Sequence, residues 1–232
     1  MIVTPQLVFL HLPKSGGTFL NEALVRFVPG ARQLGYHLPR SLIPEACRAL
    51  PVLGFVRNPW SWYVSWYAFQ YSLPQRNALF NTMSDGGRLD FSGTIRNLLD
   101  LGSGSPLLDE LLPRVPDAYV NKGLNLPRFA LERIRGSHRG FYGFLFDHLY
   151  EPGRGSPLRL GRQERLREDF LEQLAALDVP ICAELRAFVE EGAARNTSPH
   201  GFYTSYYDPA LRDLVAIRDA NVVNAGRYRF GP

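Results

Sequence analysis

The sequence predicts an α/β fold with three layers, in which helices flank a central, mostly parallel sheet. Three observations carry this prediction. An apolar run at 7–12 is followed by a turn with two glycines and then by a segment, 18–28, whose apolar residues recur with helical period. A second apolar run at 52–56 lies between prolines and is again followed by a helix start. Strands that alternate with helices favour a parallel sheet covered on both faces.

The elements around these two runs are predicted from local patterns. Residues 31–36 are predicted to form a short strand and residues 39–50 a helix. After the strand at 52–56, Asn58 is a suitable helix N-cap and Pro59 suits the first helical position.

The rest of the chain is less regular. Residues 71–125 are rich in Gly, Ser, Asp and Pro, which indicates loops and irregular helices, the segments in which ligand-binding residues are expected. Leucine-rich helical patches occur there at 94–101 and 107–112. The last predicted elements are strands at 141–146 and 157–160 and helices at 163–177 and 209–225. The 232 residues are predicted to form a single domain, 1–232.

The composition is ordinary for a globular protein, with 45% hydrophobic and 21% charged residues. No segment approaches the roughly 18 apolar residues of a membrane span, so we expect a cytoplasmic protein without one. The net charge of +4 is mild and no nucleic-acid-binding motif is present, so we expect no nucleic-acid partner.

Metal binding and covalent modification are not expected. Cys47 and Cys182 lie far apart, and no set of His, Cys or carboxylate residues has metal-ligand spacing. Asn196-Thr197-Ser198 has the spacing of a glycosylation acceptor, but a cytoplasmic setting gives it little weight.

Lysine is rare in this chain. Lys14 and Lys122 are the only lysines among 26 Lys and Arg residues, a bias that fits codon usage in a GC-rich bacterial genome. Against that background, a lysine inside the glycine turn indicates that a compact positive charge is needed there.

The turn around Lys14 has the residues of an anion-binding loop. Backbone N–H groups of a glycine-rich turn at a helix start favour an anion. Gly16 and Gly17 let the backbone approach closely, and Lys14, Ser15 and Thr18 add a charge and hydroxyl groups. Because the lysine precedes the glycines, the loop is not the Gly-x-x-x-x-Gly-Lys-Ser/Thr loop of nucleoside triphosphatases. Taken alone, it is also explained as a tight connection between strand and helix.

A second candidate anion site follows the second apolar run. Arg57 comes directly after that run, and Ser65 lies two turns along the next helix, so both side chains fall roughly on one helix face. An arginine fork and a serine hydroxyl suit a second phosphate. Separately, Arg57 is explained as a salt-bridged strand end and Ser65 as a helix surface residue.

These segments resemble the PAPS-dependent sulfotransferases, especially their carbohydrate and bacterial branch (PAPS is 3′-phosphoadenosine-5′-phosphosulfate). Residues 9–18 are similar to that family's 5′-phosphosulfate loop, and residues 56–67 to its 3′-phosphate motif. Residues 160–170 and 206–230 give weaker support. The family often has an acidic residue where this chain has Ser61, and the middle of the chain matches nothing that names an acceptor.

The resemblance implies a P-loop NTPase-like sulfotransferase fold, PAPS as donor and PAP (adenosine 3′,5′-bisphosphate) as product. It implies that Lys14 is catalytic and neutralises charge on the bridging oxygen as PAP leaves. The acceptor is a hydroxyl of a carbohydrate or small molecule. Arg162 is assigned to the donor, although a surface salt bridge explains it nearly as well. The full set of donor-binding residues is Lys14, Ser15, Gly16, Gly17, Thr18, Phe19, Arg57, Ser65 and Arg162.

The acceptor hydroxyl needs a base that is neutral near pH 7, and imidazole is suited to this. His37 follows the predicted second strand, near the edge of the sheet where ligands bind, and related carbohydrate sulfotransferases place a His or Glu base there. Glu45 is the reserve candidate for the base. His11, within the first apolar run, is predicted to be structural.

Two other functions remain open at the sequence level. A small-molecule kinase with a divergent phosphate loop needs an acidic Mg²⁺ ligand at a strand end, where this chain has Arg57. A catalytically silent nucleotide-binding protein needs neither Lys14 nor His37.

Overall fold

The computed structural model describes residues 1–192 and 200–231. These residues form two compact units. The first consists of Met1–Arg57 and the described part of 147–197, and the second of Asn58–Phe146 and the described part of 198–232. The single domain over 1–232 stays a prediction, and Asn196-Thr197-Ser198 lies outside the described residues.

The first unit contains a five-stranded mixed sheet with the order β3-β1-β2-β4-β5. Its strands are β1 Ile2–Val3, β2 Val8–Leu10, β3 Arg32–Gln33, β4 Val52–Val56 and β5 Leu158–Arg162. β2, β4 and β5 are parallel, whereas β1 is antiparallel to both of its neighbours. The α/β class with a sheet flanked by helices is confirmed, but the sheet is mixed where a mostly parallel one was predicted.

One face of this sheet carries the hydrophobic core of the first unit. The helices that contribute to this core are α1 Gly17–Phe27, α8 Leu166–Ala176 and α9 Ala183–Glu191. They pack on side chains of the central strands such as Phe9, Leu53 and Phe55. β2 and β4 are central strands of the sheet and all of their residues are buried, which explains their uninterrupted apolar sequence.

The second unit is helical in its described residues. Its helices are α2 Pro59–Ser72, α3 Ala78–Met83, α4 Phe91–Asp100, α5 Leu107–Leu111, α6 Arg128–Leu131, α10 Pro209–Arg218 and α11 Ala220–Gly226. α7, Phe141–Tyr150, begins in the second unit and ends in the first.

Helix starts follow the predicted capping chemistry. The Asn58 side chain accepts from the Ser61 N–H at 3.3 Å, with Pro59 at the first position of α2. Asp208 caps α10 in the same way through the Leu211 N–H, at 2.7 Å.

Two predicted elements are wrong. Residues 39–50 do not form a helix but two 3₁₀ turns, Arg40–Leu42 and Glu45–Cys47, because Pro44 between them has no N–H to continue a helix. Residues 141–146 are not a strand; they begin α7, and an uninterrupted apolar run of this length fits a buried helix equally well. Within the described residues, no helix is both long and apolar enough to cross a bilayer.

Candidate functional site

Three basic residues lie at one edge of the sheet in the first unit. β2, β4 and β5 are parallel, so their carboxyl ends meet at the same edge. The loop with Lys14 follows β2, Arg57 follows β4 directly, and Arg162 is the last residue of β5. Ligands of α/β proteins bind at this edge, in the crevice where neighbouring strands lead into different connections. The sequence therefore places its predicted donor-binding segments side by side.

The loop after β2 has the backbone shape of an anion-binding nest. Lys14 has φ 62° and Gly16 has φ 81°, so left-handed residues alternate with ordinary ones and the intervening N–H groups converge. α1 starts at Gly17, and no side chain of the described residues caps it. The first turn of α1 has no acidic residue to interact with the positive end of the helix dipole. A bound anion is favoured at this position by the dipole.

The Ser15 hydroxyl adds a second indication that this loop holds a ligand. Ser15 is 1% exposed, and its Oγ has no hydrogen-bond partner among the described residues. A buried hydroxyl without a partner costs free energy, and such groups in native proteins usually face a bound molecule or water.

Arg57 reaches the Lys14 loop directly. Its Nη1 donates to the Lys14 carbonyl oxygen at 3.5 Å. Burial, with the Arg57 charge as a further cause, lowers the pKa of Lys14 to about 8. Two adjacent, partly buried cations favour a bound anion, because a negative charge lowers the cost of holding both.

Arg162 is held at the same edge by the helix that follows it. Val56 pairs with Arg162 in register, which brings the last residue of β5 beside the strand end that precedes Arg57. The Arg162 N–H donates to Asp169 Oδ2 at 2.7 Å, so a buried carboxylate of α8 fixes the backbone.

His37 lies beside the segment that leads from β2 into the Lys14 loop. Its Nδ1 donates to the His11 carbonyl oxygen at 2.8 Å, which fixes the neutral tautomer and leaves Nε2 as the basic nitrogen. Burial lowers the pKa of His37 to about 4, although the bond to His11 acts in the opposite direction. The residue has φ 51°, a left-handed conformation that histidine adopts more readily than most residues.

His11 lies between His37 and the start of α1. Its ring lies 4.4 Å from the His37 ring between centroids, and its Nδ1 is 3.5 Å from Asn21 Nδ2 on α1. The ring also fills the space beside Gly17, where a Cβ would lie 1.9 Å from His11 Cδ2. The predicted structural role of His11 therefore takes a specific form: it packs the segment of His37 against the start of α1.

Three more of the residues predicted for the site are Phe19, Ser65 and Glu45. Phe19 was expected at the donor, but its ring stacks on Phe188 in the core at 5.1 Å between centroids, so its side chain is not part of this edge. Ser65 is buried in α2 of the second unit, and its role at the 3′-phosphate stays a prediction. Glu45, the reserve base, is exposed in the second 3₁₀ turn.

Sequence reasoning missed Tyr150. Its hydroxyl accepts from the Phe55 N–H at 2.9 Å and lies 2.9 Å from the carbonyl oxygen of Phe55, which is two residues before Arg57 in the chain. The only sequence signal was Gly54, because a glycine inside a buried strand marks a close approach by another group. Asn21 was missed as well, since a lone asparagine in an amphipathic helix carries no signal.

Comparison with known proteins adds no assignment. No protein-family model matches the chain, and no curated protein matches it. Within residues 1–192 and 200–231, no cluster of three or more His, Cys, Asp or Glu side chains is placed to hold a metal ion. This part of the first unit holds a loop with the backbone shape of an anion-binding nest, two adjacent cations and an imidazole whose pKa is lowered by burial.

Proposed function

We propose that this protein transfers a sulfuryl group from PAPS to a hydroxyl of a carbohydrate or small molecule, and that its fold is the P-loop NTPase-like sulfotransferase fold. The observation that carries the proposal is the contact between the Arg57 guanidinium and the Lys14 loop at the carboxyl edge of the sheet. PAPS carries anionic groups at both its 3′ and 5′ positions. Two cationic segments that follow neighbouring strands suit such a ligand better than one with a single phosphate.

Binding and reaction of the donor depend on the positive charges and N–H groups of the site. The loop amides, with Ser15 and Thr18, hold the 5′-phosphosulfate, while Arg57 holds the 3′-phosphate. Lys14 lies where negative charge builds on the bridging oxygen as PAP leaves. Burial lowers its pKa, but a value of about 8 keeps it largely protonated at pH 7. Fixed charges of this kind act without reorganisation during the reaction.

The acceptor end rests on His37. The acceptor oxygen forms a bond to sulfur while the bond from sulfur to the bridging oxygen breaks, and that electron pair stays on PAP. The acceptor proton passes to His37 Nε2. The bond from Nδ1–H to His11 holds the ring so that Nε2 is the nitrogen available for this transfer.

The proposal is tested first by binding. Calorimetric titration with PAP, PAPS and ATP, with and without Mg²⁺, separates the candidate functions. We expect PAP and PAPS to bind without a need for Mg²⁺ and more tightly than ATP. A preference for ATP that depends on Mg²⁺ indicates a kinase instead, and binding of none of the three overturns the nucleotide site.

The catalytic claim is tested with the two lysines of the chain. Transfer from radiolabelled PAPS to a mixture of hydroxyl compounds is measured for Lys14→Ala and Lys122→Ala. Lys122 is an exposed residue of the second unit, so its loss serves as the matched control. We expect Lys14→Ala to lose roughly a hundredfold or more in rate, the size typical of a lost transition-state contact, and Lys122→Ala to retain full activity.

A further inference from the structure

Tyr150 lies where β2 and β4 separate. Their parallel pairing ends at Leu10 and Gly54, and beyond that point β4 continues against β5 alone, through Phe55 and Val56. The chain after Leu10 leads into the Lys14 loop, and the chain after Val56 leads into Arg57. The point of separation therefore sets the distance between the two proposed anion-binding segments.

The hydroxyl of Tyr150 occupies this point. It accepts from the Phe55 N–H at 2.9 Å and lies 2.9 Å from the Phe55 oxygen and 3.5 Å from the Leu10 oxygen. A hydroxyl has one hydrogen to donate. Because the Phe55 oxygen is nearer than the Leu10 oxygen, the hydrogen is assigned to the bond with Phe55. Both main-chain groups of Phe55 are thus satisfied by one side chain.

Packing leaves this ring little freedom. Tyr150 is fully buried, and a Cβ on Gly54 would lie 2.4 Å from its Cε1. The glycine inside β4 therefore makes room for the ring over the strand.

The main chain of Tyr150 reaches a third segment of the site. Its carbonyl oxygen accepts from Arg40 Nη1 at 3.4 Å, and Arg40 Nη2 also bonds to the Ser156 hydroxyl at 3.2 Å. Arg40 is buried and lies three residues after His37. Tyr150 is thereby hydrogen-bonded to β4 and to the segment that carries the proposed base, and its hydroxyl lies next to the end of β2.

From these contacts we infer that Tyr150 is a positioning residue, which sets the separation of the Lys14 and Arg57 segments so that one bisphosphorylated nucleotide contacts both. The inference rests on the proposed function. Tyr150 touches neither donor nor acceptor in this role and acts through Leu10 and Phe55.

The test compares two ligands. PAP needs both the Lys14 and the Arg57 segments, whereas 5′-AMP needs only the Lys14 segment. Tyr150→Phe removes a single oxygen atom and keeps the ring. We expect its affinity for PAP to fall roughly tenfold or more, as expected when bound groups are misplaced by a fraction of an ångström to one ångström. Its affinity for 5′-AMP, which lacks the 3′-phosphate, is expected to stay within about twofold of the wild type.

Two further variants make the result specific. Gly54→Ala forces the ring away and is expected to reproduce the selective loss of PAP binding. Tyr63→Phe is the matched control, because that buried hydroxyl accepts from the Tyr142 N–H at 3.2 Å within the second unit. It is expected to lower the melting temperature without changing the ratio of PAP to 5′-AMP affinity. If Tyr150→Phe behaves like this control, its role is structural only and the inference is overturned.

A readout without nucleotide separates this inference from the proposed function. Hydrogen exchange by NMR is expected to be faster at the Phe55 amide in Tyr150→Phe, and the Arg57 Nε–H and the amides of residues 14–18 are expected to shift together. If the wild type binds no PAP, the proposed function fails, but these signals still decide the role of Tyr150. Unchanged signals at both segments contradict it.

Discussion

The Arg57 guanidinium donates a hydrogen bond to the Lys14 carbonyl oxygen, with 3.5 Å between Nη1 and O. This contact joins two segments that are 43 residues apart in the chain and puts two cations next to each other. The low pKa of Lys14 is the measurable sign of that arrangement, because burial and a neighbouring like charge both disfavour its protonated form. Replacing Arg57 is therefore expected to change both the affinity for PAP and the pKa of Lys14.

We expect Arg57→Gln to weaken PAP binding at pH 7 and to move its alkaline limit upward. Loss of a charge-assisted bond to phosphate costs about 1.5–3 kcal/mol, or roughly 10- to 150-fold in affinity. In the wild type we expect PAP binding to decrease as pH rises through about 8, where Lys14 loses its proton. Without Arg57 the pKa of Lys14 is higher, so the decrease begins at higher pH.

Calorimetric titration with PAP between pH 6.5 and 10 measures both effects. Arg154→Gln is the control, because its side chain is 80% exposed and forms only a long ion pair with Glu151. An alkaline limit that does not move in Arg57→Gln contradicts the electrostatic coupling between the two residues.

We expect sulfuryl transfer to stay active in acid to an unusual degree. The base must be neutral, and the lowered pKa of His37 keeps it neutral down to about pH 4. In kcat/KM, the acid limb is therefore expected near pH 4 and the alkaline limb near pH 8, where Lys14 deprotonates. An ordinary histidine would place the acid limb near pH 6.5.

Steady-state rates between pH 4 and pH 9 test this profile, together with His37→Gln. Loss of a general base costs about 10²- to 10⁴-fold in turnover, while PAP affinity is expected to be unchanged. Full activity in His37→Gln removes the residue from the mechanism, and Glu45 is then the next candidate.

We expect Gly17→Ala to disturb both stability and donor binding. The new Cβ would lie 1.9 Å from His11 Cδ2, and the buried ring has little room to move. Overpacking of this kind costs about 1–3 kcal/mol. Displacement of His11 also alters the carbonyl that orients His37.

Urea unfolding and PAP titration of the same variant measure the two effects. Gly93→Ala makes the same change in the first turn of α4, where the nearest atoms to the new Cβ are 3.4 Å away. That control is expected to be neutral or stabilising by up to about 1 kcal/mol. Equal behaviour of the two variants would falsify the packing role of His11.

We expect Asp219→Ala to destabilise the second unit strongly. This carboxylate is fully buried, and its Oδ1 accepts from the Gly143 N–H in the first turn of α7 at 2.7 Å. It also hydrogen-bonds the Tyr63 hydroxyl and, after burial, is the next largest cause of the raised pKa of that tyrosine. Removal of a charged cap costs about 1.5–3 kcal/mol.

The free energy of unfolding is measured for this variant beside Asp213→Ala, in which an exposed carboxylate on α10 is removed. We expect no more than about 0.5 kcal/mol for Asp213→Ala. Asp219→Asn keeps an oxygen that accepts from Gly143 and is expected to fall between the two. A small loss in Asp219→Ala shows that α7 does not depend on this cap.

The elements that the sequence predicted well are those with local signals. Val52–Val56 lies between prolines and is buried on both faces. Asn58 and Pro59 together predict the start of α2 from two adjacent residues. The segment 141–146 was misread because an uninterrupted apolar run fits a strand and a buried helix equally well, and the Asp219 carboxylate that accepts from the Gly143 N–H is 76 residues away in the chain. A capping interaction at that distance leaves no local pattern.

The candidate site divides in the same way. The Lys14 loop was predictable because glycine, lysine and serine carry their chemistry within five residues. The bond from His37 to His11 and the placement of the Tyr150 hydroxyl depend on how strands from distant parts of the chain come together. The core position of the Phe19 side chain was not foreseen, because a motif gives the residues of a loop but not the face of the helix that enters the core.

The scarcity of lysine and the low pKa of Lys14 together give this protein a built-in chemical reporter. At pH 8 about half of such amines are neutral and nucleophilic, compared with less than about 1% for an ordinary lysine. A limiting amount of an amine-selective acylating reagent therefore modifies Lys14 early, and peptide mass mapping distinguishes it from Lys122. The fraction of Lys14 protected by an added compound then measures occupancy of the loop, so libraries of anions can be screened before any acceptor is identified.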